Sequence, residues 1–141
     1  MPRELYQDAI LARAREATGA GTLDDADAIV TVHNPLCGDR ITLALRKSDG
    51  TVAEVRHEVR GCVLCQAAAS IIAARAPGRG RRDLVAIEAA VRGMLADGGA
   101  LPPEAWTDLS IFAPVAAHKS RHECVLLPFE ALHRALDAAG S

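Results

Sequence analysis

The chain has 141 residues, half of them apolar, a net charge of −2 and only four aromatic residues, Tyr6, Trp106, Phe112 and Phe129. That length suits a single domain over residues 1–141 with an aliphatic core, and the near-balanced charge leaves no basic stripe for nucleic acid. No apolar run approaches the roughly 20 residues that cross a bilayer, and Met1-Pro2-Arg3-Glu4-Leu5 lacks the apolar stretch of a signal peptide, so the expected setting is cytoplasmic, without a membrane or nucleic-acid partner.

In chain order, Pro2 to about Thr18 predicts a helix, with Leu5, Ala9, Leu11, Ala12 and Ala17 as its apolar stripe. Gly19-Ala20-Gly21 ends it, and Asp24, Asp25 and Asp27 make a solvated linker. Three strands follow: Ala28–Val32, Ile41–Lys47 with Ile41, Leu43 and Leu45 on one face, and Thr51–Arg60 with Val55 out of phase. Ser48-Asp49-Gly50 is a hairpin turn signal. Short connections predict an antiparallel meander. In a meander the end of the third strand lies at the same edge as the turn between the first two, so Cys62 is expected beside Asn34-Pro35-Leu36-Cys37-Gly38-Asp39.

Cys62 to Arg75 predicts a buried, Ala-rich helix that starts at Cys62, where the positive end of the helix dipole lowers a thiol pKa. Pro77–Arg82 reads as a flexible basic loop, or as a patch for an acidic partner. Asp83 is the expected N-cap of a helix from Leu84 to Leu95. Trp106 is expected in the core. A last helix carries Cys124, Phe129, Leu132 and Leu136, with Pro128 in its first turns.

The chemistry lies in four cysteines and one aspartate. In a reducing compartment, cysteines in a domain of this size point to metal or catalysis rather than disulfides. Cys37, Asp39, Cys62 and Cys124 offer three thiolates and a carboxylate, a set that suits zinc (Zn2+), iron or an iron–sulfur cluster alike. The carboxylate makes such a site more labile than four thiolates would. Cys65, three residues after Cys62, is a fifth ligand, a resolving thiol or packing. His122 is two residues from Cys124, where it is either an additional ligand or a half-exposed histidine. Arg121 is placed to keep nearby thiols deprotonated.

These residues resemble the U-type iron–sulfur scaffold family, the IscU, NifU N-terminal and SufU group, over about Leu5–Leu136. The marks are the Asn34–Asp39 turn, Gly61-Cys62 followed by Ala67, Ala69 and Ser70, and Arg121 and Cys124 ahead of Leu126-Leu127-Pro128-Phe129. The long Pro77–Pro103 separation and the arginine three residues before the last cysteine look SufU-like. The resemblance implies an α+β, SufE/NifU-like fold, with a three-stranded antiparallel sheet, helices packed on one face and the site at one end. It also implies two roles.

In the SufU-like role, zinc on Cys37, Asp39, Cys62 and Cys124 accompanies transfer of sulfane sulfur from a SufS/IscS-like cysteine desulfurase. A ligand exchange then frees Cys37 to accept the persulfide. In the IscU-like role the same residues hold a transient [2Fe–2S] cluster for recipient apoproteins, and Cys124 accepts the persulfide. Either way the chain is a sulfur carrier rather than a stand-alone enzyme. Two positions depart from the pattern: Cys65 stands where a serine is expected, and Glu123 where lysine or histidine is usual. Competing readings are a thiol–disulfide oxidoreductase using Cys62 and Cys65, and a structural zinc domain that binds a partner.

Overall fold

The computed structural model describes residues 8–35, 38–97, 101 and 106–140. Three strands, β1 (Ala28–His33), β2 (Arg40–Ser48) and β3 (Thr51–Arg60), pair antiparallel in the order β1-β2-β3. The meander expected from the alternating pattern is the sheet observed. Asp49 (φ 53°) and Gly50 (φ 81°) both take the left-handed conformation, which matches the twist of a tight hairpin between β2 and β3. The out-of-phase Val55 has a local cause. Arg46 pairs with Glu54 but Lys47 pairs with Val52, so Ala53 is an extra residue in β3. That bulge shifts the pleat by one position and lets Val52 and Val55 face the same core.

Among the described residues four α-helices, α1 (Asp8–Glu16), α2 (Val63–Arg75), α3 (Arg81–Asp97) and α4 (His122–Ala138), contribute to that core. α4 packs against β1 and β2, while α2 packs against β3 and α4. Ile41, Leu43, Leu45, Val52 and Val55 meet Leu64, Ala68, Val125, Phe129 and Leu132 in one buried cluster. Aliphatic side chains dominate it. Trp106, Phe112 and Phe129 are its buried aromatic members among the described residues, which places Trp106 in the core as expected.

Several expectations are corrected. α1 buries Ile10, whereas Ala9 and Ala12 are exposed, so its inward stripe runs differently from the one predicted; Leu5 lies outside the described residues. α3 begins at Arg81, two residues before Asp83, which therefore sits in the first turn rather than at the cap. The basic Pro77–Arg82 stretch is pinned. Gly78 N–H donates to Val52 C=O (2.8 Å), and Val52 N–H donates to Arg79 C=O (2.8 Å). Arg81 pairs with Asp137 at the end of α4. Pro128 is the seventh residue of α4, and its missing N–H leaves the Cys124 carbonyl without the usual helical donor.

The open edge of β3 is covered by the chain leaving α1. Ala20 forms a parallel bridge with His57, with His57 N–H donating to Gly19 C=O (2.8 Å) and Gly21 N–H to His57 C=O (2.9 Å). A Cβ on Gly19 would come within 2.4 Å of Ala73 Cβ, and its φ is +79°, so this close docking needs glycine. The buried His57 ring bonds the Thr18 carbonyl through Nε2 (2.7 Å), and burial lowers its pKa below the usual imidazole range. Farther along, the nearly buried Asp108 carboxylate accepts from Arg13 (2.6 Å) and Arg75 (3.0 Å), tying α1 and α2 to the 3-10 run Thr107–Ala117.

Candidate metal centre

Three elements deliver ligand atoms to one end of the sheet. Asp39 continues the inward row of β2, whose next members are Ile41, Leu43 and Leu45, so its side chain is buried beneath the sheet end. The turn before it is closed by backbone bonds: Asn34 N–H to Asp39 C=O and Gly38 N–H to Asn34 C=O, both 2.8 Å. Gly38 has φ +78°, a conformation that favours glycine. Cys62 is the N-cap of α2, and Cys124 lies in the first turn of α4. Two helix N-termini therefore converge on one carboxylate, and their dipoles favour negative charge there.

One oxygen each of Asp39 and the sulfurs of Cys62 and Cys124 all lie within 4.8 Å of one another. Cys62 N–H donates to Asp39 Oδ1 (3.2 Å), and its thiol reaches Oδ2 at 3.4 Å. Gly61 makes this possible. A Cβ there would lie 2.7 Å from Asp39 Cγ and 2.8 Å from Oδ1, so any side chain would push the carboxylate aside. Two sulfurs and one carboxylate, held together in a half-buried recess, fit the donor chemistry of zinc or iron.

The two thiols are hydrogen-bonded to one another. The Cys124 thiol, donating to Cys62, holds the Cys62 pKa below the usual thiol range, and the Cys65 backbone N–H adds to this; burial and Asp39 oppose it. The Cys124 pKa is raised far above that range by its bond to Cys62, by burial and by the negative charge of Cys62 and Asp39. The Arg121 guanidinium, bonded to the Cys124 sulfur, works against that rise.

The remaining sequence candidates are placed differently. Cys37 lies outside the described residues, although its neighbours Asn34, Pro35, Gly38 and Asp39 put the turn at this end of the sheet. Cys65 is fully buried within the apolar core and is not one of the three grouped ligands. His122 bonds the Ala116 carbonyl through Nε2 (3.0 Å) and is likewise outside the group. The Arg121 guanidinium bonds the Cys124 sulfur. Sequence reasoning noted Gly61 only as part of a motif; its function as the seat of Asp39 appears only once the two chains of backbone meet.

The sheet-and-helix sandwich carries two thiols and a carboxylate at one end. The chain belongs to the NifU-like N terminal domain family, whose model matches residues 5–125. It is 32% identical to the iron–sulfur cluster assembly scaffold protein IscU of Thermotoga maritima over 94% of this chain and 92% of that protein. It is 24% identical to the zinc-dependent sulfurtransferase SufU of Bacillus subtilis over 92% of this chain and 88% of that protein. Among solved structures, a NifU-like N-terminal domain from Brucella abortus superposes with a TM-score of 0.90 at 34% identity, covering 96% of this chain and 94% of the other. The scaffold protein FiSufU from Fervidobacterium islandicum shares the fold, with a TM-score of 0.88 at 21% identity over 96% of this chain and 99% of that chain.

Proposed function

We propose that this chain is an iron–sulfur cluster assembly protein that accepts sulfur from a cysteine desulfurase, holds a transient [2Fe–2S] cluster, or does both. The observation that carries the reading is the grouping of Asp39, Cys62 and Cys124 within 4.8 Å where two helix N-termini meet. Family membership and relatives named as IscU scaffolds and as a zinc-dependent sulfurtransferase support it. Partners are a SufS/IscS-like desulfurase and the apoproteins that receive the product. No helix among the described residues is long and apolar enough to cross a membrane, and we read the setting as cytoplasmic.

Asp39, Cys62 and Cys124, with Cys37 from the adjoining turn, are the residues that would hold zinc or iron. A bound zinc would supply charge that keeps the thiolates deprotonated. The sulfur step needs no net redox change. A thiolate of this chain, Cys37 or Cys124, attacks the outer sulfur of the donor's persulfide, the donor cysteine leaves as thiolate, and this chain keeps the S–SH group. Arg121 beside Cys124 offsets the negative charge that gathers as thiolates approach. A dithiol oxidoreductase is disfavoured, because the Cys65 side chain has no exposure.

Native mass spectrometry before and after incubation with a cysteine desulfurase and cysteine tests the reading. Bound zinc or iron followed by added sulfur on Cys37 or Cys124 is expected. A metal-bound chain that neither gains sulfur nor assembles a cluster on reconstitution would leave a structural zinc domain instead.

A further inference from the structure

The outer face of the sheet, turned away from the helices, distributes its charge unevenly. At the hairpin end the arginines are paired: Arg46 and Arg56 both bond Glu54 (3.3 and 2.6 Å), and Arg46 also meets Asp25 at 3.6 Å. At the other end, strand register sets His33 opposite Arg40 and Arg40 opposite Arg60. All three side chains are exposed. With strands roughly 4.8 Å apart they form a row about 10 Å long across the end of the sheet. Among the described residues none of the three has a hydrogen bond or ion pair from its side chain. Glu58, two residues from Arg60 on the same face and opposite Thr42, makes no ion pair with them. Like charges directly opposite one another destabilise a sheet, so the Arg40–Arg60 pair weakens the fold unless an anion joins it.

The row borders the sulfur-binding end. A cavity of about 340 Å³ is lined by His33, Gly38, Arg40 and Arg60, and Gly38 follows Cys37 directly. On the other flank of the same turn, a second cavity of about 390 Å³ has Glu123 and Glu130 in its wall. An approaching chain therefore meets cations on the sheet side of the turn and carboxylates on the α4 side.

We propose that His33, Arg40 and Arg60 form the docking site for an acidic segment of the protein that delivers sulfur to this chain. Its carboxylates bond the two guanidinium groups while its reactive sulfur reaches the turn at Cys37. The inference rests on the sulfur-acceptor reading above. Two guanidinium groups on adjacent strands offer two planar forks, which suit a pair of carboxylates on one polypeptide. Opposed charge of this kind also steers the encounter and fixes the approach direction.

The test follows sulfur gain by the full chain from a cysteine desulfurase and cysteine, as a function of scaffold concentration and salt. Arg40→Glu/Arg60→Glu raises KM about tenfold or more with the saturated rate unchanged, and wild-type KM rises with salt. Arg40→Lys/Arg60→Lys keeps most of the affinity, and Arg56→Glu at the far end of the same face leaves KM unchanged. If the reversal variant fails to fold by its melting curve, Arg40→Gln and Arg60→Gln take its place and raise KM by a smaller factor. Unchanged KM in folded variants that still gain sulfur would overturn the docking site alone. Abolition of the wild-type advantage by glutathione or citrate, at concentrations whose ionic strength is matched with chloride, would assign the row to a free small anion and overturn it too. No sulfur gain by the wild-type chain would instead remove the acceptor reading on which the inference stands.

Discussion

The two ends of the sheet are built from the same strands and solve opposite problems. At the hairpin end, polar groups find partners within the chain. Asp49 and Gly50 close the turn, Asp27 accepts from Lys47 N–H (2.7 Å), Arg79 C=O accepts from Val52 N–H, and Glu54 holds two arginines. At the site end, a carboxylate is buried against two thiols, and two arginines stand opposite each other. One end is finished by folding, and the other gathers a carboxylate and two thiols with the chemistry to take up a metal ion.

Perturbing each end separates the two roles. The largest effect is expected from Gly61→Ala, whose methyl group would press within 3 Å of the Asp39 carboxylate. Zinc affinity, measured by competition with a chromophoric chelator, falls roughly 10- to 100-fold, as for other residues that orient a ligand. The helix content stays native. Unchanged affinity would mean that Asp39 is not held by this contact. Gly50→Ala, at φ +81°, is the matching change at the hairpin end and is intermediate in size. It costs about 1 kcal/mol of stability, read as a lower melting temperature, with zinc affinity untouched. A loss of zinc in that variant would show the two ends to be coupled.

The smallest effect belongs to Glu54→Gln. The Arg56 and Arg46 guanidinium groups lower the Glu54 pKa, Arg56 first, but the carboxylate is solvent-screened. Its folded value is below its unfolded one, so its contribution is present above the unfolded carboxylate range and is lost as pH falls through the folded value. Melting curves of wild type and Glu54→Gln should therefore differ slightly at neutral pH, less in high salt, and converge in acid. A gap that persists in acid would assign the effect to packing instead of charge.

Much of this molecule was legible in the chain because the relevant signals are local. Alternating apolar residues marked β2 and β3, and Asp49-Gly50 marked their turn. The identities of Asp39, Cys62 and Cys124 named the chemistry, and strand order predicted that Asp39 and Cys62 would meet. Long-range backbone contacts carry no such mark. The bulge at Ala53, the docking of Gly19–Gly21 on β3 and the pinning of Gly78 and Arg79 on Val52 are set by main-chain pairing that no local periodicity announces. Burial likewise depends on every neighbour at once. Only the packed structure decided that Cys65 turns into the core, that Ile10 rather than Ala9 faces inward, and that Asp108 receives both Arg13 and Arg75. By itself the sequence determined the elements and the reactive groups, because period and residue chemistry act over a few residues. The tertiary structure alone decided which thiols meet the Asp39 carboxylate and which arginines find an acidic partner within the chain, because both depend on distances between elements far apart in the chain.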